Sequence, residues 1–289
     1  MRPLVTIGIP VYNVGRFIGM TLKSVLKQTY TNFELIITDD GSTDNTVEII
    51  RSFDDPRITL IVDGENHGIS YRLNQQIDLA KGKYFVRMDG DDLMFPDRVE
   101  KQVRYLEEHP DVDVVGAGAV IIDDDNEIIG LRQSSITAKR PEDIINNTPF
   151  IHPSVCGKID FFRKYHYDER LNGVEDNDLW LRGFNSCKYA MINQSLIFYR
   201  DPLKFKLITY VKRKWKGCKK VILRWKLFDD KNPAIEYFIF AFIKSLTALT
   251  LCALNKDNLF IAKRNSKVMG CEYYQKILDE ILNGLWQKK

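Results

Sequence analysis

The stretch that decides the fold of this 289-residue chain is FELIITDDGS at residues 33–42, and KYFVRMDGDD at residues 83–92 repeats its design. In both stretches, an apolar run of strand length is followed at once by aspartates. Carboxylates at the C-terminal ends of parallel strands line the mouth where open α/β sheets bind ligands. Clustered carboxylates repel one another, and a hard divalent cation that carries phosphate oxygens satisfies them best. The two stretches therefore predict a site for a metal ion and a nucleoside diphosphate.

The first half of the chain alternates strand and helix patterns, which predicts a mostly parallel sheet with helices on both faces. The predicted strands lie at residues 5–9, 33–38, 58–62 and 84–88, and an amphipathic helical pattern follows each of them. Gly82 stands where a glycine commonly ends a helix. Residues 113–122 and 127–131 predict a strand pair joined by an acidic turn, and residues 188–199 predict a final strand.

Composition and charge limit the classes of protein to which this chain could belong. The five cysteines form no CxxC pair, which favours a reducing compartment over disulfides or a zinc site. No secretory signal pattern is evident at the N-terminus, so the sequence predicts a cytoplasmic protein. Residues 203–289 carry 19 Lys and Arg against 7 Asp and Glu, whereas residues 1–202 carry 23 against 32. This asymmetry predicts a main domain over residues 1–202 and a basic, partly apolar helical tail over residues 203–289.

Six short motifs follow one another along the chain. They are IPVYN at residues 9–13, SVLKQT at 24–29, DDGSTD at 39–44, NHGIS at 66–70 with Asn74, DGDD at 89–92 with Pro96, and EDNDLWLR at 175–182. In this order, the motifs resemble those of the family 2 inverting glycosyltransferases, which have the GT-A fold. The resemblance covers roughly residues 3–200 and implies nothing about the tail.

The resemblance implies a nucleoside diphosphate sugar as donor, Mn²⁺ or Mg²⁺ as cofactor, and a single displacement that inverts the anomeric carbon. Asp91 is the implied metal ligand, and Asp176 is the implied catalytic base. The implied donor-binding residues are Pro10, Tyr12, Asn13, Asp40, Arg72, Asp89 and Gly90. Pro10 and Tyr12 would line the base and ribose pocket. Asp40 would accept a hydrogen bond from the imide of the base, which favours a UDP- or dTDP-sugar.

Four further residues are candidate contacts to the acceptor or to phosphate: His152, Glu175, Trp180 and Arg200. Arg72 and Arg200 are candidate clamps for the diphosphate, although either could pair with surface carboxylates. Trp180 also suits the core. Many relatives place a histidine near the metal in a Tyr-Arg-x-His sequence, but here the corresponding sequence is YRDP at residues 199–202. Pro202 takes the place of the histidine, so the third contact to metal or phosphate stays open.

Plain structural roles compete with these assignments. Asp39 and Asp40 also suit a turn and helix N-cap, because Ser and Thr follow them. Glu175 and Asp176 also suit the acidic first turn of a helix, where carboxylates interact favourably with the helix dipole. The run of three aspartates at residues 123–125 lies between two predicted strands, which favours a hairpin turn over a metal cluster.

The tail predicts an interaction surface of its own. Residues 204–226 interleave Lys and Arg with Tyr and Trp, a pattern that suits an anionic membrane surface. Residues 237–254 form a mostly apolar run at the lower limit for spanning a bilayer. We expect either peripheral attachment at the inner face of the membrane or a homo-oligomer interface. Nucleic acid is disfavoured, because no nucleic-acid-binding module surrounds the basic stretch.

Together these patterns predict glycosyl transfer from a nucleoside diphosphate sugar to a glycan or lipid-linked acceptor, in cell-surface polysaccharide synthesis. One rival is a metal-dependent nucleotidyltransferase that uses the same carboxylates, but the chain has no Gly-rich phosphate loop with its lysine. A second rival is a noncatalytic scaffold that binds membranes or nucleic acid through the tail. The complete acidic set argues against the scaffold.

Overall fold

The structure of the protein, a computed structural model, describes residues 2–136, 138–146, 148–201, 206–228, 233–256, 265–266 and 271–283. The strands are β1 (Val5–Val11), β2 (Phe33–Asp39), β3 (Ile58–Val62), β4 (Tyr84–Arg87), β5 (Leu93–Met94), β6 (Val114–Ile122), β7 (Ile128–Arg132), β8 (Cys156–Lys158) and β9 (Tyr189–Arg200). The α-helices are α1 (Gly15–Leu26), α2 (Thr46–Arg51), α3 (Ile69–Leu79), α4 (Arg98–Glu108), α5 (Pro141–Asn146), α6 (Ile159–Tyr165), α7 (Glu175–Gly183), α8 (Leu207–Leu223), α9 (Ala234–Ala253) and α10 (Cys271–Leu282).

The parallel part of the sheet carries the ends of the two stretches that decide the fold. Its strands lie in the order β3-β2-β1-β4, and every neighbouring pair is parallel. All of β4 and nearly all of β1 and β2 are buried, as expected of apolar strands covered on both faces. Val11 pairs with Asp39, and Gly8 pairs with Arg87, so the C-terminal ends of β1, β2 and β4 lie at one edge.

The rest of the sheet is mixed. Strand β8 lies antiparallel between β4 and β6, β9 runs parallel to β6, and β5 pairs antiparallel with β9. The predicted strand pair is the antiparallel hairpin of β6 and β7. Its acidic turn is held by Asp123, whose Oδ1 accepts hydrogen bonds from the backbone N–H groups of Asp125 and Glu127, both at 2.9 Å. The hairpin interpretation of residues 123–125 is therefore confirmed.

Gly82 has a different role from the predicted helix cap. Helix α3 ends at Leu79, and the following Ala80 is already extended, with φ −60° and ψ 131°. A Cβ at Gly82 would lie 2.4 Å from the backbone nitrogen of Thr6. The glycine is required because the chain passes close to β1 at this point, and not because the helix ends there.

The tail completes the hydrophobic core. Helices α8 and α9 contribute Val221, Tyr237 and Ala241 to a buried cluster that contains Phe150 and Trp180. Helix α10 contributes Leu278 and Ile281 to another cluster, which contains Leu93, Phe95 and Phe198. The predicted boundary after residue 202 lies outside the described residues. The described tail helices share the core of residues 1–201, so they are packed parts of the fold and not a separate appendage.

Candidate active site

The DGDD turn directly follows β4 and gathers three carboxylates. Oxygen atoms of Asp89, Asp91 and Asp92 all lie within 4.8 Å of one another. The hydroxyl of Thr21 on α1 donates to the carbonyl oxygens of Gly90 and Asp92, at 3.0 and 2.8 Å, and so fixes the turn. A Cβ at Gly90 would lie 2.9 Å from a methyl carbon of Val11, so the glycine lets the turn pack on the end of β1.

The electrostatics of this turn suit a cation. Burial and the charge of Asp89 raise the pKa of Asp91 to about 6. Burial and the charges of Asp91 and Asp89 raise the pKa of Asp92 well above its usual range. Oδ1 of Asp92 accepts the backbone N–H of Arg200 at 2.8 Å, and its Oδ2 is buried without a hydrogen-bond partner among the described residues. Such a set of carboxylate oxygens fits Mg²⁺ or Mn²⁺.

Arg87 is a site residue that sequence analysis missed. Its guanidinium forms a bidentate ion pair with Asp89. Nη1 donates to Oδ2 at 2.7 Å and Nη2 to Oδ1 at 2.6 Å. Arg87 is 2% exposed, and its charge also acts on Glu175, Tyr167 and His152. The structure therefore brings the DGDD turn and the start of α7 into one site around this arginine. The available signal was a charged residue at the end of an otherwise apolar strand, two positions before the first aspartate.

Helix α7 presents the predicted catalytic base. Asp176 is half-buried in its first turn, where the helix dipole favours carboxylates. The neighbouring Glu175 is buried, and its carboxylate accepts a hydrogen bond from the backbone N–H of Gly173. Burial and the charge of Asp176 raise the pKa of Glu175 to about 7. The site thus pairs a half-buried carboxylate with one that holds a proton up to near-neutral pH.

The ends of β1 and β2 form the open side of the site. Tyr12 is 51% exposed, and the adjacent Pro10 is half-buried. Asn13 has φ 51°, and its side-chain oxygen accepts the backbone N–H groups of Thr43 at 2.8 Å and Asp44 at 3.3 Å. The loops after β1 and β2 are therefore tied together beside Tyr12.

Asp40 and Arg72 form a buried pair. The Oδ1 atom of Asp40 accepts hydrogen bonds from His67 N at 2.8 Å, Gly68 N at 3.1 Å and Arg72 Nε at 3.0 Å. The Arg72 side chain is fully buried, and its Nη1 and Nη2 donate to Asp63 at 2.7 and 2.6 Å. We therefore assign Arg72 a structural role, in place of the predicted contact to the diphosphate. The predicted contact of Asp40 with the base stays a prediction.

The two carboxylate oxygens of Asp39 have different surroundings. Its Oδ2 accepts the backbone N–H groups of Gly41 at 3.1 Å and Ser42 at 3.0 Å, as in the predicted turn. Its Oδ1 is buried and has no hydrogen-bond partner among the described residues.

The remaining candidates fall in different places. His152 is half-buried, with its Nε2 2.9 Å from the Tyr167 hydroxyl oxygen, and burial lowers its pKa well below the usual range. Trp180 is 0% exposed within the core, which corrects the expectation that it contacts an acceptor.

Arg200 stabilises the DGDD turn. Its Nε donates to the Asp91 carbonyl oxygen at 2.9 Å, and its Nη2 donates to Asn126 Oδ1 at 2.7 Å. Pro202 lies outside the described residues.

Comparison with known proteins identifies the family. The profile described as Glycosyl transferase family 2 matches residues 6–171. The chain is 38% identical over 190 residues to a putative glycosyltransferase, EpsE, of Bacillus subtilis, covering 63% of this chain and 67% of that protein. It is 30% identical over 251 residues to an uncharacterized glycosyltransferase, MJ1057, of Methanocaldococcus jannaschii, covering 78% and 86%. The chain belongs to glycosyl transferase family 2.

Solved structures share the fold. The mannosyltransferase PcManGT from Pyrobaculum calidifontis, in complex with GDP-Man and Mn²⁺, superposes with a TM-score of 0.60 at 19% identity, covering 100% of this chain and 89% of that chain. S. aureus TarS in complex with UDP superposes with a TM-score of 0.59 at 17% identity, covering 75% and 65%. The predicted GT-A-type α/β fold is therefore confirmed, and so is the prediction of a glycosyltransferase.

Proposed function

We propose that this glycosyltransferase transfers a sugar, with inversion and with the help of a divalent cation, from a nucleoside diphosphate sugar to a glycan or lipid-linked acceptor. The observation that carries the proposal is the convergence of the DGDD turn and the start of α7 around Arg87. Two structural neighbours are in complex with UDP or with GDP-Man and Mn²⁺, which supports a nucleotide-bound donor and a metal.

Asp91 would bind Mn²⁺ or Mg²⁺, with Asp89 and Asp92 beside it. When bound, the cation would neutralise the charge that develops on the departing diphosphate. Arg87 holds Asp89 in place through the bidentate ion pair between them. Thr21 and Arg200 hold the turn backbone, so the carboxylates are positioned before any ligand arrives.

Asp176 would take the proton of the acceptor hydroxyl as the new bond forms. A single base on the face opposite the leaving group produces a single displacement, and a single displacement inverts the anomeric carbon. Glu175 would position the start of α7 through its bond to Gly173. Because the pKa of Glu175 is about 7, it is mostly protonated below that pH and adds little negative charge beside Asp176.

Tyr12, Pro10 and Asn13 would line the pocket for the base and ribose at the ends of β1 and β2. The imide of uracil or thymine donates one hydrogen bond, and either Asp40 or Asp39 would accept it. Asp39 Oδ1 has no hydrogen-bond partner among the described residues, but it is buried, so a local rearrangement would have to open it to the base. This chemistry favours a UDP- or dTDP-sugar. His152 stays a candidate contact to the acceptor or to phosphate.

The tail would hold the enzyme on an anionic membrane, peripherally at its inner face, where lipid-linked acceptors for polysaccharide synthesis reside. Seven large apolar residues of α9 are more than half exposed: Ile235, Phe238, Ile239, Phe242, Ile243, Leu246 and Leu249. Two lysines lie beside a partly buried aromatic residue of the same helix, since Nζ of Lys214 and of Lys244 lie 5.4 and 5.5 Å from the Phe240 ring. Within the described part of the chain, α9 alone is long and apolar enough to cross a membrane.

A donor screen tests the proposed reaction. The full-length protein is incubated with UDP-, dTDP- and GDP-sugars and Mn²⁺, and the released nucleotide is measured with and without EDTA. We expect release of a nucleoside diphosphate from one class of donor, with loss of that release in EDTA and in Asp91→Asn. Undiminished turnover in excess EDTA would contradict the metal requirement, and release of pyrophosphate would indicate a nucleotidyltransferase.

A further inference from the structure

We propose that helix α8 positions the segment that carries Asp176. Two basic residues of α8, Lys216 and Lys220, and Arg224, which directly follows the helix, stand at intervals of four and are here called the α8 basic stripe. They hold residues 172–178 from outside the parallel sheet. This inference rests on the proposed role of Asp176 as the base, and it makes the tail a part of the active site as well as a membrane attachment.

Each member of the stripe bonds to a different point of the segment. Nζ of Lys216 donates to the Asn172 carbonyl oxygen at 2.5 Å. Nζ of Lys220 donates to the side-chain oxygen of Asn177. Nε of Arg224 donates to Oδ1 of Asp178 at 2.7 Å. Residues four apart on a helix lie on one face, and Arg224 keeps this spacing directly after α8, so one face of α8 and its C-terminal end together reach both sides of Asp176 in the sequence.

The contacts of Lys220 and Arg224 are largely shielded from solvent, which separates them from ordinary surface ion pairs, whereas the contact of Lys216 is exposed. Lys220 is 1% exposed, and the Asp178 side chain is fully buried. A buried charge is costly unless it is paired and hydrogen-bonded, so removing one partner leaves the other destabilised. Asp178 accepts hydrogen bonds from two arginines, Arg224 and Arg182, the latter through Nε at 2.7 Å. The stripe therefore fixes the first turn of α7 more firmly than exposed pairs could.

Lys220 is the member whose charge acts on the base itself. Asp176 and Asp178 on α7 attract its ammonium group, Lys214 on α8 repels it, and the Tyr237 ring of α9 lies 5.9 Å from its Nζ. Burial lowers the pKa of Lys220 to about 8. The ammonium is therefore charged below about pH 8 and loses its charge above it.

The test compares Lys220→Met and Arg224→Met with the wild-type enzyme. Lys212→Met is the matched control, because Lys212 is an exposed lysine of the same helix. Steady-state kinetics give kcat and KM, titration calorimetry gives the Kd of the nucleoside diphosphate, and hydrogen exchange reports residues 172–178. We expect kcat to fall by up to about 100-fold, the cost of a misplacement near 1 Å, with an unchanged Kd. Exchange in residues 172–178 should rise, and Lys212→Met should match the wild type.

A conservative variant and a reference variant complete the design. Lys220→Arg should restore part of kcat. Because a guanidinium stays protonated there, this variant should also keep its activity above about pH 8, where we expect the wild type to lose activity as the Lys220 ammonium loses its charge. If Lys220→Met does not fold, Lys216→Met replaces it in the test, because Lys216 is exposed. This variant should fold and should still lower kcat. Asp176→Asn is the reference for loss of the base.

Three results would overturn the inference, and they are distinguishable. Full kcat in all stripe variants, together with a large loss in Asp176→Asn, would remove the positioning role and leave the proposed function intact. Full kcat in Asp176→Asn would remove the proposed base and the inference with it. If the stripe variants lose folding stability and nucleotide binding together with kcat, the role of α8 is packing and not the positioning of Asp176.

Discussion

Glu175 should make the folded protein lose stability as the pH rises, and Glu175→Gln should remove that loss. Its carboxyl titrates near pH 7 in the folded protein, against an ordinary value of 4.5. Between these values, the folded state keeps a proton that the unfolded chain releases, so the free energy of unfolding falls with rising pH. A difference of that size corresponds to about 3 kcal/mol, fully lost above about pH 7.

Glutamine is neutral at every pH, and its side-chain oxygen can still accept the hydrogen bond from Gly173 N–H. The variant should therefore fold and lack the pH-dependent loss. Urea unfolding of both proteins at pH 5 and pH 8 measures the effect. On going from pH 5 to pH 8, we expect Glu175→Gln to gain about 2.5 kcal/mol of unfolding free energy relative to the wild type.

The matched control for this measurement is Glu169→Gln, which changes an exposed carboxylate a few residues earlier in the chain. Titration of all other groups is common to the proteins and cancels in the comparison. An equal change in unfolding free energy for the wild type and Glu175→Gln would refute the reasoning. Glu175 would then be ionised in the folded protein at neutral pH, and it would add a full negative charge beside Asp176.

Two further predictions concern the metal site and the tail. Arg87→Met should lower the unfolding free energy by about 3 kcal/mol, because it leaves Asp89 among like charges, and saturating Mn²⁺ should recover part of the loss. An equal loss with and without Mn²⁺ in urea unfolding would contradict this. Phe242→Ser with Leu249→Ser should abolish flotation with anionic vesicles, whereas high salt should weaken flotation only partly. Unchanged flotation, with a molar mass that falls in the same variant, would assign this face to a second copy.

The sheet edge and its aspartates were predictable because their causes are local. Apolar runs of strand length ending in Asp39 and Asp89 fix both the strands and the edge at which they end. The hairpin around residues 123–125 follows from the same kind of pattern. The resemblance to a known family then attached roles to Asp91 and Asp176 that spacing alone could not supply.

The rest depended on contacts between distant residues. In the sequence, Arg87 is a single polar residue in an apolar strand. Only the folded structure shows that Glu175 and Tyr167 lie near it. The sequence pattern around Lys220 and Arg224 indicates a solvated basic helix. It does not reveal their partners, because Asn177 and Asp178 lie more than 40 residues earlier in the chain. A single sequence does not reveal which charges are buried together. The same limit made Arg72 look like a diphosphate clamp.

Comparing Asp176→Asn with the wild-type enzyme is the most direct test of the proposed mechanism. Both proteins are given saturating donor, acceptor and Mn²⁺, and the nucleoside diphosphate released per second is measured beside the donor Kd. We predict an unchanged donor Kd and a kcat lower by about 10² to 10⁴, the usual contribution of a general base. A variant that turns over at the wild-type rate at saturation but binds the donor poorly would place Asp176 in the nucleotide site and contradict the mechanism.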